Sequence, residues 1–229
     1  MSCRRSLALL EVVVGVAIVA LLMVILLPAL SRARAAAGET VCRSNLRQLA
    51  LAIVLYARDA DGWLVPFNDG YGYYHFYANL LADSVYVPTA NWTNEAWGDA
   101  ADGIWRCSAV NDSQVGWGGG YGVNGGSSDG HLVGWGQSRS LDAIVRPAHL
   151  WMIGDAEGHQ FDPEHQKTWP FVRCPACFAD DSSPSADYQF AAGRHDGAAN
   201  VAFADAHVSE TAYADLADNR GDVFGHYGL

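Results

Sequence analysis

The chain has 229 residues, half of them hydrophobic, and a formal net charge of −11. That length holds one membrane span and one head of ordinary domain size, and leaves no room for two such heads. Residues 1 to 58 carry seven arginines against Glu11 and Glu39, so this part is +5 and the remainder −16, with Lys167 the lone lysine. So acidic a head repels phosphate backbones and anionic headgroups, which excludes direct nucleic-acid binding by it. It can attract divalent cations or a basic partner, or simply stay soluble.

In chain order, Val12 to Leu30 gives nineteen residues without a charge, and extending back to Leu7 gives twenty-four whose only ionisable group is Glu11. At ~1.5 Å rise per residue, roughly 20 residues cross a bilayer core, so residues 7–30 are expected to span one, with membrane lipid as a partner. Arg4 and Arg5 precede the run, and a short basic end stays in the cytoplasm and sends the rest of the chain across. A cleaved secretory signal peptide is the competing reading. Against it, the apolar run exceeds the usual ~7–15 residues and Glu11 stands at its start.

Beyond Pro28 the pattern turns amphipathic. Cys42, Leu46, Leu49, Ile53 and Tyr56 recur at steps of four and three, one stripe of a helix, with Arg43, Arg47 and Arg58 off it. One long helix is therefore expected to run to about Asp59, kinked at Pro28 and stopped by Asp61-Gly62. After Trp63 helical period is lost. Strands are expected near Ile104 to Cys107, Leu150 to Asp155, Asn200 to Ala204 and His207 to Tyr213, mostly antiparallel, the last two joined by a tight turn. The Gly-, Ser- and Trp-rich stretch Asn111 to Gly136 reads as a long surface loop.

Five cysteines are present, and Cys3 lies before the apolar run. The other four, in an extracytoplasmic head, read as disulfides with three possible connectivities. Cys42 lies on the apolar stripe and Cys107 ends an apolar segment, so these two are expected to tie the helix to the sheet. Cys174-Pro-Ala-Cys177 then reads as a local structural disulfide. Its spacing also fits half a zinc site, completed by His159 or His165, or a redox pair, but no second CxxC and no βαβ context accompany it.

The run Leu7-Ala-Leu-Leu-Glu11-Val-Val-Val-Gly-Val-Ala-Ile18 resembles the cleavage and methylation segment of type IV pilins and type II secretion pseudopilins. In that family a basic leader ends just before a hydrophobic helix, and glutamate is fifth after the cut. Leu26 to Arg34, Cys42 to Leu49 and Tyr56 to Asp59 look like the pilin-like proteins abundant in planctomycete and verrucomicrobial relatives, which end in His, nine residues, Asp-Gly; here His195 precedes Asp205-Ala206. The chain departs from the family at Ser6, where relatives have glycine, at Leu7, where they have phenylalanine, and at Ala206, where the motif has glycine. Should that last turn need positive φ, alanine costs about 1 kcal/mol there.

The resemblance implies an α+β type IV pilin fold: leader 1–6 cut between Ser6 and Leu7, transmembrane half-helix 7–30, amphipathic half-helix 31–60, and an antiparallel head 61–229. It implies a non-catalytic pilin or pseudopilin, single-pass in the inner membrane, with its head in the periplasm or an extracellular filament. The implied partners are other pilin-like subunits, a prepilin peptidase and an inner-membrane assembly platform. Glu11 is the expected assembly residue, because a carboxylate within an apolar span is costly unless something meets it. Asp59, Asp61 and Asp69 are the calcium candidates, although their spacing is not that of an EF-hand. Two rival readings have their own residues. Trp92, Trp97, Trp105, Trp117 and Trp135 suit a polysaccharide-binding platform on a membrane-anchored module. His195, His207, Asp155 and Asp205 suit a secreted metal-dependent enzyme, although a strand between His195 and Asp205 sets the two apart.

Overall fold

The structure, a computed structural model, describes residues 3–67, 80–81, 86–87, 103–111, 114–115, 118–125, 132, 138–156, 171–172, 194–212, 215 and 223, with residues 3–10 and 171 by backbone alone. The chain divides into two compact units, Met1–Gly38 and Glu39–Leu229.

One helix, α1, runs from Cys3 to Asp59 with Pro28 inside it. In the first unit every residue from Glu11 to Leu30 is exposed, and the helix is long and apolar enough to cross a membrane. Leucine, valine and isoleucine exposed on all sides of a helix are not stable against water, and a lipid environment removes that cost. In the second unit the stripe expected from sequence is buried: Cys42, Leu46, Leu49 and Ile53 are fully enclosed, and Tyr56 packs at the margin. The helix stops where the sequence placed the stop. The Gly62 N–H returns to the Ala57 carbonyl at 2.7 Å, with Asp61 and Gly62 both at positive φ, so the freed carbonyls of the last turn are satisfied.

The head carries a five-stranded sheet: β1 Tyr121–Asn124, β2 Trp151–Asp155, β3 Phe171–Val172, β4 Ala198–Phe203 and β5 Val208–Ala212, in the order β3-β1-β2-β4-β5. Four strands pair antiparallel, and the two-residue β3 pairs parallel with β1 at the edge. Helix and antiparallel sheet give the α+β layout. One face of the sheet joins the helix stripe in a single core with Leu64, Phe67, Trp105, Tyr121, Met152 and Ile153. The other face holds a second cluster of Trp151, Val172, Val201 and Phe203. Both faces are therefore covered, so β1, β2 and β4 are buried at every position while edge strand β5 is half exposed.

Two expectations are corrected. Ile104 to Cys107 is not a strand: Gly103–Trp105 is a single 3₁₀ turn, which Gly103 enters at positive φ and from which Trp105 drops into the core. The stretch Asn111 to Gly136 is not all surface loop, because Tyr121–Asn124 within it is a fully buried strand between β2 and β3. A central strand covered on both faces has no polar alternation, and four residues among glycines carry too little apolar pattern to announce one.

The β4–β5 connection is a three-residue hairpin loop. Ala206 N–H reaches the Phe203 carbonyl at 2.8 Å, Phe203 N–H reaches the His207 carbonyl at 3.0 Å, and Ala206 has φ 64°. That is a turn followed by a left-handed residue, the position where glycine is normally preferred. The positive φ anticipated for the alanine is present.

Candidate functional site

Where β2 ends, five segments meet. Cys42 comes from α1, Cys107 from just past the 3₁₀ turn, Gly120 from the entry to β1, Asp155 from the end of β2, and Arg194 and His195 from the turn before β4. That turn is a two-residue loop: His195 and Ala198 exchange backbone hydrogen bonds at 3.2 and 3.1 Å across Asp196 and Gly197, both at positive φ. Asp-Gly is a favoured pair for this geometry, and it turns His195 inward.

Cys42 and Cys107 are wholly buried free thiols with Sγ atoms 3.1 Å apart. His195 Nε2 lies 3.5 Å from Cys107 Sγ and 3.4 Å from Asp155 Oδ2. Among the described residues these two cysteines and the histidine form a group whose ligand-type atoms all lie within 4.8 Å of one another. The Ser108 N–H points at Cys42 Sγ at 3.2 Å. Asp155 accepts the Asn200 N–H at 2.7 Å, and Arg194 Nη1 stands 3.9 Å from its other oxygen. Arg194 itself is fixed by donating to the carbonyls of Gly120, at 2.7 Å, and Ala156.

Gly120 has no alternative here. It sits at φ +107°, and a Cβ would fall 2.7 Å from Val110 Cγ2, 2.9 Å from Arg194 Nη1 and 3.0 Å from Cys107 Cβ.

The electrostatics follow from burial. Desolvation pushes the Asp155 carboxyl up to about 6, against the downward pull of Arg194, the Asn200 N–H and His195. Cys42 is held far below the ordinary thiol range, first by its hydrogen bond with Cys107, with burial opposing and His195 and Ser108 assisting; Cys107 is correspondingly raised. His195 is raised, first by its hydrogen bond with Cys42 and then by the Asp155 charge, against burial.

Of the residues singled out by sequence, Cys42, Cys107, Asp155 and His195 come together. The four-residue His/Asp cluster does not: Asp205 is bonded to His207 at the exposed β4–β5 hairpin, and the buried Asp155 takes His195 instead. The His207 pair holds Asp205 below the usual carboxylate range, against a partial desolvation. Asp59 accepts a hydrogen bond from Tyr86, Asp61 forms the positive-φ residue after the helix, and Asp69 lies outside the described residues. Of the tryptophans, Trp105 is buried in the core, while Trp92, Trp97, Trp117 and Trp135 lie outside the described residues, as do Cys174, Cys177, His159 and His165. Glu11 is exposed on the apolar helix; of Ser6 and Leu7 only the helical backbone is described.

Sequence reasoning passed over Arg194 and Gly120. The Gly118 to Gly120 run gave a hint, since successive glycines before an aromatic residue often mark close backbone approach. Comparison with known protein families, with curated proteins and with solved structures finds no match for this chain.

Proposed function

We propose that this chain is a non-catalytic structural subunit, pilin-like or pseudopilin-like, held in the membrane by the first half of α1 and assembling through it into a filament. One observation carries the reading: a single helix, Cys3–Asp59, is apolar and exposed over Glu11–Leu30 and then amphipathic and packed against an antiparallel sheet. A soluble helix has no use for the first stretch, and a simple anchor has no use for an unbroken helix into the core. The buried His195 and Asp155 fit the same reading, since they lock the chain entering β4 onto β2 and onto the helix.

On this reading the leader is cut between Ser6 and Leu7 by a prepilin peptidase. The new α-amino group on Leu7, with an ordinary pKa of ~7.7–8.0, is the partner for Glu11, in its own helix or a neighbour's. The test compares Glu11→Leu with the parent chain for abundance in membranes and in sheared filaments. The variant is expected to insert as well or better, because a neutral side chain is cheaper in lipid, while its incorporation into filaments falls at least tenfold. Normal filament yield would remove assembly from Glu11, and mass spectrometry finding Arg4 and Arg5 on the mature chain would make it a permanent anchor.

A further inference from the structure

Cys42 and Cys107 stand 65 residues apart in the chain, both wholly enclosed, with sulfurs 3.1 Å apart. Unbonded carbon atoms settle at ~3.5–4.0 Å. Sulfur is the larger atom, so this pair is pressed inside ordinary contact. A hydrogen bond between the two thiols accounts for contact but not for so short a one, and two other chemistries draw two cysteines close. A tetrahedral metal with bonds of about 2.3 Å to each sulfur holds them about 3.8 Å apart, farther than they stand here. A disulfide needs them nearer still, at about 2.05 Å. The compression is toward the bond and away from the metal.

We propose that in the mature protein Cys42 and Cys107 are joined as a disulfide that clasps the amphipathic half of α1 to the head, a site resting on the reading that the head lies outside the cytoplasm. The clasp is placed for a load. Cys42 begins the buried stripe of the helix, and Cys107 is anchored in the head by its N–H to the Gly119 carbonyl at 2.9 Å. Tension entering along the helix therefore meets a covalent tie before it reaches Leu46, Leu49 and Ile53.

Closure balances as thiol–disulfide exchange with an oxidised dithiol protein of the extracytoplasmic space. The Cys42 thiolate attacks one sulfur of the partner's disulfide, whose S–S bond breaks and whose leaving sulfur takes up a proton. The Cys107 thiolate then attacks the Cys42 sulfur of the mixed disulfide and expels the partner's second sulfur as a thiolate, which is protonated in turn. The chain loses two electrons and two protons, and the partner gains both. Because neither sulfur is accessible in the closed head, the exchange belongs to folding. In the closed head the disulfide leaves His195 Nε2 to Asp155 Oδ2, 3.4 Å away.

The full chain, expressed with its own N-terminus in a host with an oxidising periplasm, is quenched in acid and alkylated in denaturant without reductant. It is then reduced, alkylated with a second reagent and mapped, and a parallel sample is mapped without reduction and assayed for bound metal. Protease treatment of spheroplasts reports separately which side of the membrane holds the head. The expected result is second-reagent label alone on Cys42 and Cys107 and one unreduced peptide pair joining them. First-reagent label on both, either one joined to Cys3, Cys174 or Cys177, or free thiols with one equivalent of zinc would overturn the disulfide. A digested head with free thiols leaves the orientation standing and removes the clasp. A protected head with the pair linked does the reverse, and a protected head with free thiols removes both.

Discussion

Stability between pH 5 and pH 8 tests the buried site most directly. Asp155 is fully buried, and desolvation lifts its carboxyl from an ordinary 3.8 to about 6 in the folded chain. The native state therefore holds the proton more tightly than the unfolded state. Its contribution is fully present below 3.8 and is lost as pH rises through about 6. At ~1.36 kcal/mol per pH unit, the interval between the two values amounts to on the order of 3 kcal/mol. His195 is raised as well, so whatever it contributes is lost in the same direction. Asp205 is lowered and works in the opposite sense, but only below 3.8, outside the window. Much of that is already gone by pH 5, and about 1.4 kcal/mol is lost between pH 5 and pH 8. For a chain of this length 1 kcal/mol is worth roughly 2–4 °C, so the thermal midpoint should fall by about 3–6 °C over that window. Circular dichroism melts of the detergent-solubilised chain at constant ionic strength would measure it. Asp155→Asn keeps an acceptor for the Asn200 N–H while removing that carboxyl's titration, so its midpoint should fall less steeply across the window than the parent's, with the His195 share remaining. A parent midpoint that is level or rising from pH 5 to pH 8, or an unchanged slope in the variant, refutes the assignment.

Gly154 sits in β2 with Trp151 Cζ2 2.5 Å and the Asn200 backbone oxygen 2.9 Å from where a Cβ would be, and neither neighbour can retreat. Gly154→Ala should cost about 1–3 kcal/mol or prevent folding, read as a lower denaturation midpoint; a neutral result would mean that β2 and β4 part easily. At Ala206, replacement by glycine relieves about 1–2 kcal/mol of left-handed strain. It also removes a buried methyl worth about 0.8 kcal/mol and loosens the unfolded chain by about 0.4–1 kcal/mol. Ala206→Gly should therefore shift stability by less than about 1 kcal/mol in either direction, and a gain above 2 would show that the turn is more strained than its φ implies. Opening a Cys42–Cys107 disulfide, which closes a loop across 65 residues, should lower stability by about 4 kcal/mol in equilibrium denaturation with and without reductant. No difference between the two conditions would count against the bond.

The glycines at 120 and 154 show how little of this site the sequence displays. Neither belongs to a motif, and each is dictated by atoms far away in the chain: Val110, Arg194 and Cys107 around one, Trp151 and Asn200 around the other. Strand β1 was hidden for a related reason. Its neighbours cover it on both faces, so its residues carry no alternation, and a pattern that exists only as contrast with solvent disappears where there is none.

What the sequence determined by itself is what depends on near neighbours. An unbroken apolar run, a stripe at steps of three and four, and Asp61-Gly62 set the helix and its end, because helical hydrogen bonds and burial faces repeat within a turn or two. The Asp-Ala pair after β4 likewise announced its turn. The stripe also pointed Cys42 toward Cys107, but which charges meet was decided only by tertiary structure. The sequence already placed a strand between His195 and Asp205, but not where each would go: β4 carries Asp205 to an exposed hairpin, where it bonds His207, while the turn before that strand delivers His195 to Asp155 and to the sulfurs of Cys42 and Cys107. An extended strand of six residues separates its two ends by about 20 Å. A partner for a buried group at one end must therefore come from another strand, and the pairing order of the sheet, rather than spacing along the chain, decides which one.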